Sequence, residues 1–118
     1  VHGQDGMDEL TTTTASWAAS LENGKVTEIE ISPEEIGVKR ARMADLKGGD
    51  AAHNAAAIHK VLAGEKNAFR DIVVLNSAAA LMVAGKATHL RQGADLAAQS
   101  IDTGKAAAAL ATLKRICA

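Results

Sequence analysis

The sequence predicts an α/β fragment in which a strand end and a β-hairpin precede four helices. Asn23-Gly24 stands between two runs of strand-forming residues, a strong hairpin signal. From Asp50 onward the apolar spacing is helical, and cap residues and glycines divide it. Of the 118 residues 47% are apolar and 26 are alanine, with Trp17 and Phe69 the only aromatics, so the core is expected to form from closely packed helices. The length suits one domain. It divides into strands and hairpin over 1–37, a connection over 38–49 and helices over 50–118.

Taken in order, Val1-His2-Gly3 reads as the end of a buried strand, and with no methionine at position 1 the chain reads as a fragment. Thr11 to Thr14 read as strand entry, since threonine suits strands. Ala15–Leu21 and Val26–Ile31 form the hairpin. A two-residue Asn23-Gly24 loop sets Trp17 opposite Glu30 and Ala19 opposite Glu28. A three-residue loop, with Gly24 left-handed, sets Trp17 opposite Ile29, Ala19 opposite Thr27 and Ala15 opposite Ile31. The three-residue loop is the one expected.

Ser32-Pro33-Glu34-Glu35 combines a cap, a proline at the first helical position and a glutamate at the third, predicting a short helical turn that stops at Gly37. Lys39 to Gly49 is a mixed-charge surface connection. Asp50 caps a helix ending near Gly64, Asn67 one ending near Gly85 and Thr88 one ending near Gly104; the last runs from Lys105 to the terminus. The second helix carries Ile72, Val73, Val74, Leu75, Leu81, Met82 and Val83, is apolar on nearly every side, and is expected at the buried centre. The third keeps a stripe through Leu90, Ala94, Ala97 and Ile101. Two hairpin strands alone make a marginal sheet, so these layers need something further to pack on.

Thirteen basic against fourteen acidic residues give a net charge of −1. With no basic run and almost no aromatic side chains to stack bases, a nucleic-acid partner is not expected. The single cysteine, Cys117, cannot form an intrachain disulfide. Nothing resembles a signal peptide, and no apolar run reaches the ~20 residues that span a bilayer. A cytoplasmic chain with no membrane partner is the expectation.

Chemistry is best sought in the opening stretch, VHGQDGMDELTTTT. In a turn, the adjacent carboxylates of Asp8 and Glu9 can reach neighbouring metal positions. Oxygen donors of this kind suit Mg²⁺, which takes one or two carboxylates together with waters and substrate phosphates. The alternative is structural, with Asp5 making a local turn hydrogen bond, Asp8 capping and Glu9 solvated. His2 has no cysteine or nucleophilic serine at a suggestive spacing. His53 and His59, six residues apart, fall on nearly opposite helix faces and are not a metal pair. Lys47-Gly48-Gly49-Asp50 has the form of an anion-binding lead-in to a helix, but Asp50 would repel phosphate and a flexible approach to a cap is the better reading.

The acidic turn, the hairpin ending in ISPEEIGV, and DLKGGDAAHNAAAIHKVLAGEKNAFRDIVVLNSAAALMVAGKA together resemble the C-terminal part of the anthranilate phosphoribosyltransferase family, in order and over essentially the whole chain. The resemblance implies part of a nucleoside phosphorylase/phosphoribosyltransferase-type α/β domain. It implies a glycosyltransferase of tryptophan biosynthesis that moves the phosphoribosyl group of phosphoribosyl pyrophosphate to anthranilate, with Mg²⁺ as cofactor. In that family the Asp-Glu pair of HGxDGxDE binds magnesium, and it falls here on Asp8 and Glu9. The family's upstream GTGGD loop and HGN segment are absent, so this chain alone is expected to be inactive, and a homodimer is expected. His53 stands where the family usually has glutamate, which removes the capping-box partner of Asp50. The alternatives are a non-catalytic, self-associating helical module or a relative of the pyrimidine nucleoside phosphorylases.

Overall fold

Asn23 and Gly24 both lie at positive φ, 50° and 76°, the pair of left-handed residues that a tight two-residue hairpin turn demands. The structure, a computed structural model, describes residues 1–117. Strand β1 (His2–Gly3) pairs antiparallel with β2 (Ser16–Glu22), and β2 pairs through this turn with β3 (Lys25–Ile31), giving a three-stranded sheet in the order β1-β2-β3.

The hairpin register departs from the sequence expectation. Glu22 faces Lys25, Ala19 faces Glu28 and Trp17 faces Glu30, so the loop has two residues and not three. A hydrophobic pattern selects register only where one face is buried. Here every residue from Ala19 to Glu30 is exposed, so no core rewards placing Trp17 against Ile29 and turn geometry decides. Trp17 is accordingly 53% exposed. The sheet meets the core at its other end, where the row Gly3, Ser16 and Ile31 is buried and Ala18 packs against the core. Val1 and His2 are exposed, so the expected buried strand end reduces to Gly3. Thr11 to Thr14 are not strand; they bend toward β2, which starts at Ser16.

A 3-10 turn follows at Pro33–Ile36, as the capping pattern predicts. The Glu35 carboxylate accepts from the Ser32 amide at 2.8 Å, and Gly37, at φ 79°, stops the turn. The connection beyond it contains a second 3-10 turn, Met43–Leu46, and is tied to the front segment where the Ala41 amide donates to the Thr12 carbonyl at 2.9 Å.

Among the described residues four helices follow: α1 (Ala51–Leu62), α2 (Ala68–Val83), α3 (Leu90–Asp102) and α4 (Lys105–Ile116). Asp50 caps α1 by accepting from the His53 amide at 2.8 Å, and Asn67 caps α2 by accepting from the Arg70 amide at 2.9 Å. The α3 cap is His89 and not Thr88. The His89 ring nitrogen accepts from the Gln92 amide at 3.3 Å, while the Thr88 amide and hydroxyl donate to the Gln92 side chain at 2.8 and 3.1 Å. The cap therefore lies one residue later than the threonine suggests, and Thr88 closes the reciprocal contact from outside.

Leu75 and Ala78 of α2 are fully buried and meet Ala94, Ala97 and Ile101 of α3, with Leu10, Ile31 and Ile36 of the front segment completing the core. The two helices approach so closely that a Cβ on Gly93 would stand 2.7 Å from the Ala78 carbonyl oxygen. The α3 stripe appears as predicted. Helix α2 is central on one face only: Val73 and Met82 are exposed and Val83 is 92% exposed. An open groove of about 760 Å³ lies between α2 and α3, lined by Ser77, Leu81, Ala84, Leu96 and Ser100 among others.

Candidate metal-binding site

Gly3 and Gly6 begin the site, Gly3 because a Cβ there has no room and Gly6 because its φ is positive. The Gly3 amide donates to the Met7 carbonyl at 2.7 Å and the Gly6 amide to the Gly3 carbonyl at 3.0 Å, while Gly6 sits at φ 95°, open to glycine at little cost. A Cβ on Gly3 would come within 2.6 Å of the Asp5 carboxylate.

Asp5 organises the turn from inside. Its Oδ1 accepts from the Met7 amide at 3.1 Å, and its Oδ2 accepts from the Thr11 hydroxyl at 2.6 Å and from the Thr13 hydroxyl. The Thr13 amide donates to the Thr11 hydroxyl at 3.0 Å, and the Thr11 amide to the Ser16 hydroxyl at 3.0 Å. The threonine tract is thus a hydrogen-bonded wrap around one carboxylate, which explains why it is not strand. Both hydrogen bonds that Asp5 Oδ2 accepts are internal, and Asp5 shapes the turn as the structural reading holds.

Asp8 and Glu9 stand on the crest of this loop, both exposed. Among the described residues neither carboxylate takes part in a hydrogen bond or an ion pair, unlike Asp5. No three His, Cys, Asp or Glu side chains among the described residues converge as a cage. Two free, exposed carboxylates fit a hard cation that keeps its waters and shares a phosphate-bearing ligand, and do not fit a cation that needs a closed protein shell.

The backbone under the crest is fixed from both sides. Met7 is held as described, and Leu10 is held by Asn76 of α2: the Asn76 Oδ1 accepts from the Leu10 amide at 3.0 Å and its Nδ2 donates to the Leu10 carbonyl at 2.7 Å. Sequence reasoning passed over Asn76. Its signal was present, as the lone carboxamide of a largely apolar helix, where a polar group needs a partner.

The remaining sequence candidates resolve as structure. Gly48-Gly49-Asp50 is no anion loop, since Asn54 of α1 turns back to accept from the Gly49 amide at 2.9 Å and donate to the Gly49 carbonyl at 3.0 Å. His53 lies against Gly49, where a Cβ would meet its ring at 2.9 Å. His2 is exposed beside Trp17 in the sheet.

A family model described as the glycosyl transferase family, a/b domain, matches residues 1–107. The chain belongs to this glycosyl transferase family. Within it, the chain is 57% identical over 113 residues to the anthranilate phosphoribosyltransferase of Parvibaculum lavamentivorans, covering 96% of this chain and 33% of that one. It is 55% identical over 113 residues to the one of Methylocella silvestris, covering 96% and 32%. This glycosyl transferase segment therefore spans about a third of the length of the curated relatives it matches.

Solved structures agree on the fold. The anthranilate phosphoribosyltransferase of Thermus thermophilus superposes with a TM-score of 0.79 at 36% identity, over 89% of this chain and 31% of that one. The Saccharomyces cerevisiae enzyme in complex with 4-fluoroanthranilate superposes at 0.85 over 92% and 32%, with 20% identity, a likeness of fold alone. A serine-to-alanine variant of the yeast enzyme, described as having Mg bound, gives 0.84 at the same identity. The expected phosphoribosyltransferase-type α/β fold is the one found.

Proposed function

We propose that this segment serves in an anthranilate phosphoribosyltransferase, supplying Asp8 and Glu9 as oxygen ligands for Mg²⁺ during transfer of the phosphoribosyl group from phosphoribosyl pyrophosphate to anthranilate in tryptophan biosynthesis. The observation that carries the reading is the pair of free carboxylates on a pinned crest, in a chain 57% identical over 113 residues to such an enzyme. When bound, the ion supplies positive charge where departing diphosphate gathers negative charge. The chain's own part is to keep two carboxylates apart from any internal partner and their backbone still, so that little reordering accompanies ligation. The setting proposed is the cytoplasm; among the described residues no helix is long and apolar enough to cross a membrane.

The test is anthranilate-dependent diphosphate release by the full product of the gene. Asp8→Asn with Glu9→Gln should abolish Mg²⁺-stimulated turnover while leaving the circular dichroism spectrum intact, and full activity in the double variant overturns the proposal. The isolated 118 residues should show no turnover, because the sequence lacks the GTGGD and HGN segments.

A second feature favours a further partner surface. Helix α4 buries none of its residues, leaving Leu113 57% and Ile116 68% exposed, and the groove beside α2 is open. Packing against the remainder of a longer chain, or against a second copy in a homodimer, would cover this surface. Light scattering of the full gene product distinguishes the two, since a monomeric mass excludes the homodimer.

A further inference from the structure

We propose that Asn76 is a positioning residue for the Asp8–Glu9 pair, an inference that rests on the metal reading above. An asparagine within a helix is disfavoured, because its side chain competes for backbone hydrogen bonds. Asn76 follows the fully buried Leu75 and precedes the fully buried Ala78 by two residues. Its carboxamide is matched by groups 66 residues away: Oδ1 accepts from the Leu10 amide at 3.0 Å, and Nδ2 donates to the Leu10 carbonyl at 2.7 Å, with a further bond to the Ile72 carbonyl of its own helix at 3.0 Å. The side chain thereby imitates a neighbouring strand, satisfying both backbone groups of one residue of an irregular loop. That residue is the one immediately after Glu9.

On the other flank, Met7 has its amide on Asp5 at 3.1 Å and its carbonyl on the Gly3 amide at 2.7 Å. Asp8 and Glu9 are the two residues between these anchors, and their own side chains have no internal partner among the described residues to orient them. The direction of their Cα–Cβ bonds therefore depends on the anchors. Groups that orient metal ligands without touching the metal typically alter affinity by about 10- to 100-fold.

A purely structural role is the competing account, since Leu10 is itself buried. The experiment is calorimetric titration of Mg²⁺, with inorganic diphosphate present, into the full gene product and into Asn76→Ala, Asn76→Asp, Val74→Ala and the Asp8→Asn/Glu9→Gln double variant. Val74→Ala removes core packing from the same helix but none of the hydrogen bonds to Leu10, which Asn76 makes. Asn76→Ala and Asn76→Asp should weaken Mg²⁺ binding by about 10-fold or more, whereas Val74→Ala should leave it unchanged at a similar loss of thermal stability. Equal weakening by Val74→Ala, or unchanged binding in Asn76→Ala, overturns the proposal. Loss of binding in the double variant with retention in Asn76→Ala sinks the positioning role alone; retention in the double variant sinks the metal reading itself. Should neither Asn76 variant fold, hydrogen exchange on the wild type decides. The Leu10 amide must exchange as slowly as those of α2, and rapid exchange overturns the clamp.

Discussion

Asp5 holds Thr11 at 2.6 Å, and through Oδ2 holds the Thr13 hydroxyl as well, so the acid that bends the first turn also folds the threonine tract onto it. Burial pushes the Asp5 pKa up, but the hydrogen bonds from Thr11, Thr13 and the Met7 amide together outweigh it and hold the carboxyl below the usual aspartate range. A folded pKa below the unfolded one means that the ionised carboxylate contributes stability above the unfolded value. That contribution is lost as pH falls through the folded value.

Asp5→Asn should remove this acid-dependent part. Its unfolding free energy at neutral pH should fall by about 2 kcal/mol, the scale of hydrogen bonds to a charged group. As pH falls through the unfolded and then the lowered folded Asp5 value, the variant should lose less further stability than the wild type. Urea unfolding at several pH values checks this, and parallel pH curves for the two proteins contradict it.

Arg70 and Asp102 tie the start of α2 to the end of α3. The Arg70 side chain is 4% exposed. Its Nη2 donates to Asp102 Oδ2 at 2.9 Å, while Nη1 stands 2.9 Å from Oδ1 as an ion pair outside good hydrogen-bond geometry. The Arg70 hydrogen bond is the main cause that holds the Asp102 carboxyl below its usual range. Removing the anion strands a buried guanidinium, whereas removing the cation leaves Asp102 facing water. Asp102→Asn should therefore lower Tm at neutral pH more than Arg70→Met, which keeps the buried length without the charge. The sign with pH follows as for Asp5: the wild type loses this contribution in acid, so the gap to Asp102→Asn should narrow there. Thermal melts that rank the two variants the other way refute the assignment.

Gly93 lies where α3 crosses α2, and an alanine there would place its Cβ 2.7 Å from the Ala78 carbonyl oxygen and 2.9 Å from the Ala78 Cα, both backbone atoms. Helix propensity alone favours alanine over glycine by about 1 kcal/mol, so the two effects oppose. The clash should win, and Gly93→Ala should lose about 1–3 kcal/mol as an overpacked core does. A variant that melts at or above the wild-type temperature would show that the helices stand further apart.

Much of this was legible in the chain. Asp50 and Asn67 identified their helices because a cap is a local hydrogen bond, decided within three residues. The Ala94, Ala97 and Ile101 stripe was visible because burial on one face leaves a helical period. The failures share a cause in tertiary placement. Trp17 was set against Ile29 on the assumption that the hairpin has a buried face, yet its outer part projects from the core. Helix α2 has enough apolar residues to be buried all round, but the chain supplies neighbours for one face only. Asp8 and Glu9 could be singled out by residue type, while Asn76 could not be paired with Leu10 because no local pattern joins positions 66 apart.

The exposed hairpin separates local from global stability. Gly24 lies at φ 76°, and a Cβ added there would have no heavy atom within 4 Å, so Gly24→Ala meets no steric neighbour and costs only the strain of a left-handed L-residue, about 1 kcal/mol. Residues 19–30 are all exposed, so their opening need not disturb Leu75 or Ala78. The cost should fall on local fraying: amides of β2 and β3 beyond Ala18 should exchange several-fold faster, about the factor of 5 that 1 kcal/mol represents. Amides of α2 should keep their wild-type rates. Faster exchange in α2 as well would mean that the hairpin and the helical core open as one unit.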